Sequence, residues 1–86
     1  MIFKRINSAH GISTCGRYAI SRARSLGDWT YQAVRLGTPW RNEKAWDGSV
    51  SLCVERFADG DNAGRLTAWN AAVAACDRDA AERGEA

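Results

Sequence analysis

From Leu66 onward, apolar side chains recur at spacings of three and four. Leu66, Trp69, Val73, Cys76 and Ala80 fall within about a quarter of a helical wheel turning roughly 100° per residue. The positions between them are polar or alanine. Asp59, Asp61 and Asn62 supply oxygen acceptors ahead of the run, and Gly84 stands just behind Arg83; these residue types open and close helices. The pattern predicts one helix over 62–83, with Leu66, Trp69, Val73 and Cys76 turned to the core. Ala68, Ala71 and Ala75 then line its outer side. That smooth face is open to a basic groove or to a second helix, as in a homodimer, although alanine's high helix propensity accounts for it more simply.

Ahead of the helix the period changes to two. Residues 17–24 place Tyr18 and Ile20 on one face, residues 29–36 carry the aromatic and β-branched types that strands favour, and Ser25-Leu26-Gly27-Asp28 between them is turn chemistry. An antiparallel hairpin follows. Residues 50–57 form another alternating strand, read with Val50, Leu52 and Val54 inward and Ser51 and Glu55 outward, and residues 2–6 fit a first or edge strand. Between these strands, Thr38-Pro39 suits the start of a helical turn, Asp47-Gly48 a tight turn, and Trp40 and Trp46 stand among charges. The expected fold is α+β, a three- or four-stranded antiparallel sheet with one C-terminal helix packed on one face. Its expected core is Ile20, Leu52, Val54, Leu66, Trp69, Val73 and Cys76. Neither a repeat nor a linker interrupts residues 1–86, so a single domain is expected.

Composition narrows the class. With 86 residues, 45% apolar and 26% charged, the chain suits one small soluble domain and contains no apolar run of the ~20 residues that a membrane helix needs. Lys4 and Arg5 come too early for a secretory apolar segment, and Cys15, Cys53 and Cys76 are odd in number and far apart. A cytoplasmic protein with free thiols is the expectation, without membrane association. Charge is divided along the chain: residues 1–46 hold eight basic side chains against two acids, a net of +6, and residues 47–86 hold four against eight, a net of −4.

No residue set assembles into catalytic chemistry. His10 is the single histidine, and neither a serine nor a cysteine triad can be spaced around it. The cysteines with His10 match no zinc-ligand spacing. Asp59-Gly60-Asp61-Asn62 begins like a calcium loop, but Asn70 stands where the bidentate glutamate belongs, so helix capping explains these residues better. The expectation is no catalytic residue, no metal and no cofactor. Two binding surfaces remain. Arg17, Arg22, Arg24 and Arg35, with Tyr18, Trp29 and Tyr31 as stacking surfaces, permit nucleic-acid binding, though the alternation that puts Tyr18 and Ile20 beside Arg22 and Arg24 lets these arginines fringe a core as readily as form a platform. Trp40, Arg41 and Trp46 put protein-interface residue types on one loop.

Gly16-Arg17-Tyr18-Ala19-Ile20, Trp29-Thr30-Tyr31-Gln32-Ala33 and the helical Ala71-Ala72-Val73-Ala74-Ala75-Cys76 together resemble short accessory proteins encoded by phages and prophages of GC-rich proteobacteria. Some proteins of that kind are anti-CRISPRs, compact domains that block a host complex by binding it. They share no motif from which a site residue could be transferred. The resemblance implies a non-enzymatic inhibitor in the host bacterial cytoplasm, binding a host protein or ribonucleoprotein complex. Trp40, Arg41 and Trp46 with Arg17, Arg22, Arg24 and Arg35 are the candidate contact residues. The alternative is a small nucleic-acid-binding regulator that uses the basic hairpin.

Overall fold

A computed structural model describes residues 1–37 and 49–84. Trp40, Arg41 and Trp46, with the helical turn and the Asp47-Gly48 turn expected around them, lie outside the described residues. Among those described, five strands run as an antiparallel meander in chain order: β1 (Phe3–Arg5), β2 (His10–Ser13), β3 (Tyr18–Ser25), β4 (Asp28–Arg35) and β5 (Val50–Ala58). The helix α1 (Asn62–Glu82) follows. The fold is thus α+β with one C-terminal helix, but the sheet has five strands and not three or four. The unforeseen strand is β2, four residues containing Gly11, too short to display a period.

Local chemistry explains the joints. Ser25 pairs with Asp28 across a two-residue turn in which Leu26 has φ 51° and Gly27 φ 88°, the left-handed pair that matches the twist of a hairpin. The Asp61 carboxylate caps α1 by accepting the Gly64 N–H at 2.9 Å. A Cβ at Gly64 would collide with that carboxylate. At the other end Gly84, at φ 71°, turns the chain out of the helix.

Paired residues on neighbouring antiparallel strands share a face. Tyr18 and Ile20 of β3, Tyr31 and Ala33 of β4 and Phe57 of β5 meet Ala68, Ala72, Cys76 and Ala80 of α1 in the main core. Ile12, Ala19, Val34 and Leu36 form a smaller buried cluster, and the register places the first three of them on the opposite face.

The helix is therefore rotated from its expected setting. Its buried residues are Ala68, Ala72, Ala75, Cys76 and Ala80, whereas Leu66 is 52% exposed and Trp69 and Val73 are half-buried. Alanines let the backbone approach the sheet closely, so the small-residue seam lies against it and the bulky residues flank the contact. The outer face expected for Ala68, Ala71 and Ala75 is overturned, since Ala68 and Ala75 are buried and Ala71 half-buried. In β5 the phase is also reversed. Pairing of Glu55 with Tyr31 and Cys53 with Ala33 turns those residues toward α1, leaving Val54 on the other face and 56% exposed. A register shift opposite Ala33 and Val34 then brings Leu52 against the core, half-buried.

Five strands at about 4.8 Å spacing put the outer strands roughly 19 Å apart, and a helix with its side chains is only about 10 Å wide. Because α1 lies chiefly along β5 and β4, part of the helix side of β1, β2 and β3 is left open.

Candidate functional site

That uncovered strip is a cleft of about 410 Å³. One wall is β1 with the 6–9 turn and the start of β2, and the floor is Ile20, Arg22 and Tyr31. The facing wall is the early part of α1, with Arg65, Leu66 and Trp69. Trp69 is held edge-to-face by two aromatic rings, with centroids 5.7 Å from Phe3 and 5.4 Å from Tyr31; Tyr31 lies 5.0 Å from Phe57 beneath it. Such rigid aromatic clusters fix the shape of a wall at little entropic cost.

Arg5, Arg22, Arg65 and His10 line the cleft, and no aspartate or glutamate is among its described lining residues. Neutral oxygens orient two of the arginines. Arg5 Nε donates to the Asn7 carbonyl at 3.2 Å, and Arg22 Nη2 donates to the Ser8 carbonyl at 3.0 Å. The Asn7 side-chain oxygen, which accepts the Ala9 N–H at 2.8 Å and lies 3.0 Å from His10 Nδ1, shapes the turn that supplies both carbonyls. Arg65 makes no ion pair among the described residues. Beside the cleft, the Arg22 and Arg24 guanidiniums lie 4.7 Å and 5.6 Å from the centroid of the Trp29 ring. Asp59 anchors this ledge, accepting from Trp29 Nε1 at 3.0 Å and pairing with Arg24 at 3.1 Å.

The expected hairpin patch is thus divided. Arg22 reaches the cleft and Arg24 the ledge, while Arg17 is exposed at the head of β3. Arg35 is at the far end of α1, where its Nη1 meets Asp79 Oδ1 at 2.7 Å and the Tyr18 hydroxyl donates to Asp79 Oδ2 at 2.7 Å. Burial pushes the Asp79 carboxyl up, but the Tyr18 and Arg35 hydrogen bonds and the charges of Arg35 and Arg83 outweigh it and hold the group below its ordinary value. Tyr18, expected as a stacking surface, is 1% exposed and unavailable to a ligand.

Sequence reasoning missed Arg5 and Arg65. Each had a local signal: Phe3 and Arg5 are two apart on a strand, and Arg65 and Trp69 four apart on a helix, so each pair shares a face. Only the tertiary fold brings the two pairs together.

The cysteines lie elsewhere. Cys76 is buried and its thiol is pushed up to about 12, by burial first and then by neighbouring Cys53, Asp77 and Asp79. Cys53 is half-buried, and Cys15 is exposed with its Sγ 3.2 Å from Ser13 Oγ. Among the described residues, no three His, Cys, Asp or Glu side chains are grouped to hold a metal ion, and no helix is long and apolar enough to cross a membrane. Compared with protein-family models, with curated proteins and with solved structures, the chain matches none.

Proposed function

We propose that the protein is a non-enzymatic binding module whose working surface is the arginine-lined cleft, and that it acts by occupying an anionic surface of a macromolecular partner. One observation carries this reading: Arg5, Arg22 and Arg65 line one cleft, without a carboxylate among its described lining residues. Like charges gathered without counter-charge destabilise a fold, and a neutral carbonyl orients a guanidinium without cancelling its charge. Such a cleft is complete only with an anion in it. The resemblance to phage accessory proteins narrows the proposal to inhibition of a bacterial defence complex, in which an acidic or nucleic-acid surface would be the target. Trp40, Arg41 and Trp46 remain contact candidates for that narrower reading, on residue type alone.

Retention on immobilised heparin, a generic polyanion, tests the reading. Wild-type protein should be retained at low salt, and an Arg5→Ala/Arg65→Ala variant with an unchanged circular dichroism spectrum should elute at clearly lower salt. Identical elution of the two proteins would show that the anionic partner is bound elsewhere or not at all.

A further inference from the structure

We infer that the partner held by this cleft is single-stranded nucleic acid, with one unstacked base entering between the β1 wall and the facing wall of Leu66 and Trp69 while the backbone follows Arg65, Arg5, Arg22 and Arg24. The inference rests on the proposed anion-binding reading and adds the chemistry of the ligand.

The first argument is the mixed character of the walls. A partner that offered only negative charge, such as an acidic peptide, would satisfy the guanidiniums and leave Leu66 and the half-buried Trp69 facing water. Leu66 is 52% exposed on an otherwise regular helix, which places an apolar surface beside the positive charges. Nucleotides combine a flat apolar ring with a phosphate, and single-strand binders couple aromatic surfaces to a basic groove for this reason. A volume of about 410 Å³ lies near the lower end of the roughly 300–1,000 Å³ typical of pockets that enclose small ligands. It suits one base with its sugar. Paired bases hide their faces in the stack, so a duplex could place only phosphates at the rim.

The second argument is the ledge. Arg22 belongs both to the cleft and to the Trp29 stack, where Arg24 shares the same ring. The Trp29 ring contacts both guanidiniums, the Ser8 carbonyl holds Arg22 and Asp59 pairs with Arg24, and guanidinium planes are themselves surfaces on which bases stack. Cleft and ledge therefore form a continuous track: a position for an inserted base, then a position for its neighbour. Asp59 shares the charge of Arg24, so three to four phosphate contacts are expected. With a dependence of about −0.7 per contact for single strands, affinity should fall about 20- to 50-fold between roughly 50 and 200 mM salt.

Fluorescence anisotropy with a labelled 12-nucleotide oligo-dT measures this. The same strand with abasic sites, a 12-base-pair duplex and polyglutamate serve as competitors. The expected result is binding of the single strand with that salt dependence, and competition at least about tenfold weaker from each of the other three, because loss of a stacked base alone costs about that factor. Leu66→Glu, which places a carboxylate in the cleft at an exposed helix position, should weaken binding at least tenfold while leaving the circular dichroism unchanged. Should that variant fail to fold, Arg65→Ala replaces it, with an expected decrease of about 0.7 in the salt slope. Equal competition by the abasic strand, the duplex or polyglutamate would overturn the single-strand inference and leave the anion-binding reading standing. Failure to bind any of the four polymers, with no retention on heparin, would overturn both.

Discussion

The two ends of the helix–sheet interface use the same residue type in opposite ways. Near the C-terminus of α1, Arg35 is closed against Asp79, 44 residues away in sequence, and Tyr18 completes the network. Near its N-terminus, Arg5 and Arg22 are held by the Asn7 and Ser8 carbonyls, and Arg65 lines the same cleft. A carboxylate both orients and neutralises an arginine, and so makes it part of the fold. A carbonyl only orients it, and the charge remains available to something outside the chain. The difference between these acceptors, more than the total of twelve basic residues, distinguishes the closed end from the open one.

Removing Asp79 should give the largest effect. Asp79→Ala leaves the Arg35 guanidinium, whose side chain is 24% exposed, without its counter-charge and deprives the Tyr18 hydroxyl of its acceptor, a loss of about 2–3 kcal/mol. Thermal unfolding should report a fall in Tm of roughly 10 °C or more. A change below about 2 °C would place the closed end among ordinary surface ion pairs.

The same contrast has a pH signature. The Asp79 carboxyl is held below its ordinary value near 3.8, so the folded state favours the ionised form. Its contribution is fully present above that ordinary value and is lost as pH falls through the lower folded one. The stability difference between wild type and Asp79→Asn, measured by urea unfolding, should be constant above about pH 5 and shrink below about pH 4. A gap that persists unchanged into acid would remove ionisation from the explanation.

Leu66 offers a smaller and more diagnostic test. Hydropathy alone makes it a core residue, for which replacement by alanine costs about 2–5 kcal/mol. At 52% exposure, on the wall of the open cleft, Leu66→Ala should cost less than about 1 kcal/mol. A core-sized loss would mean that the helix is set with its bulky stripe inward.

The mistaken setting of the helix shows where sequence reasoning stops. The boundaries of α1 were legible, because Asp61 and Gly84 are local signals, and so was the β3–β4 hairpin, with its Leu26-Gly27 turn. The rotation of α1 was not. Leu66, Trp69 and Val73 dominate any measure weighted by side-chain size, yet the expected Cys76 is joined in the buried contact with the sheet by Ala68 and Ala72, while Trp69 and Val73 pack only partly buried against it; the alanines carry little apolar surface and fit where larger groups cannot. In β5, the alternation of Val50, Leu52 and Val54 was visible, but its phase depended on pairing with β4 and on the register shift near Leu52. The cleft was the least legible part. It depends on β2, too short to announce itself, and on which arginines acquire carboxylates. The partners of Arg24 and Arg35 are 35 and 44 residues away, so a basic hairpin read in isolation treats Arg22, Arg24 and Arg35 as equivalent when the fold makes them three different things.

A matched pair of arginine variants sets the open end directly against the closed one. Arg65→Ala and Arg35→Ala remove the same charge from the same molecule, and both can be measured for Tm and for affinity toward oligo-dT at about 0.1 M salt. Arg65→Ala should leave Tm within about 2 °C and weaken binding about fivefold, the loss expected for one phosphate contact to a single strand. Arg35→Ala should lower Tm by several degrees and leave the affinity of the folded protein unchanged. Equal loss of affinity in both variants, or full affinity in Arg65→Ala, would contradict the assignment of the open cleft as the binding surface.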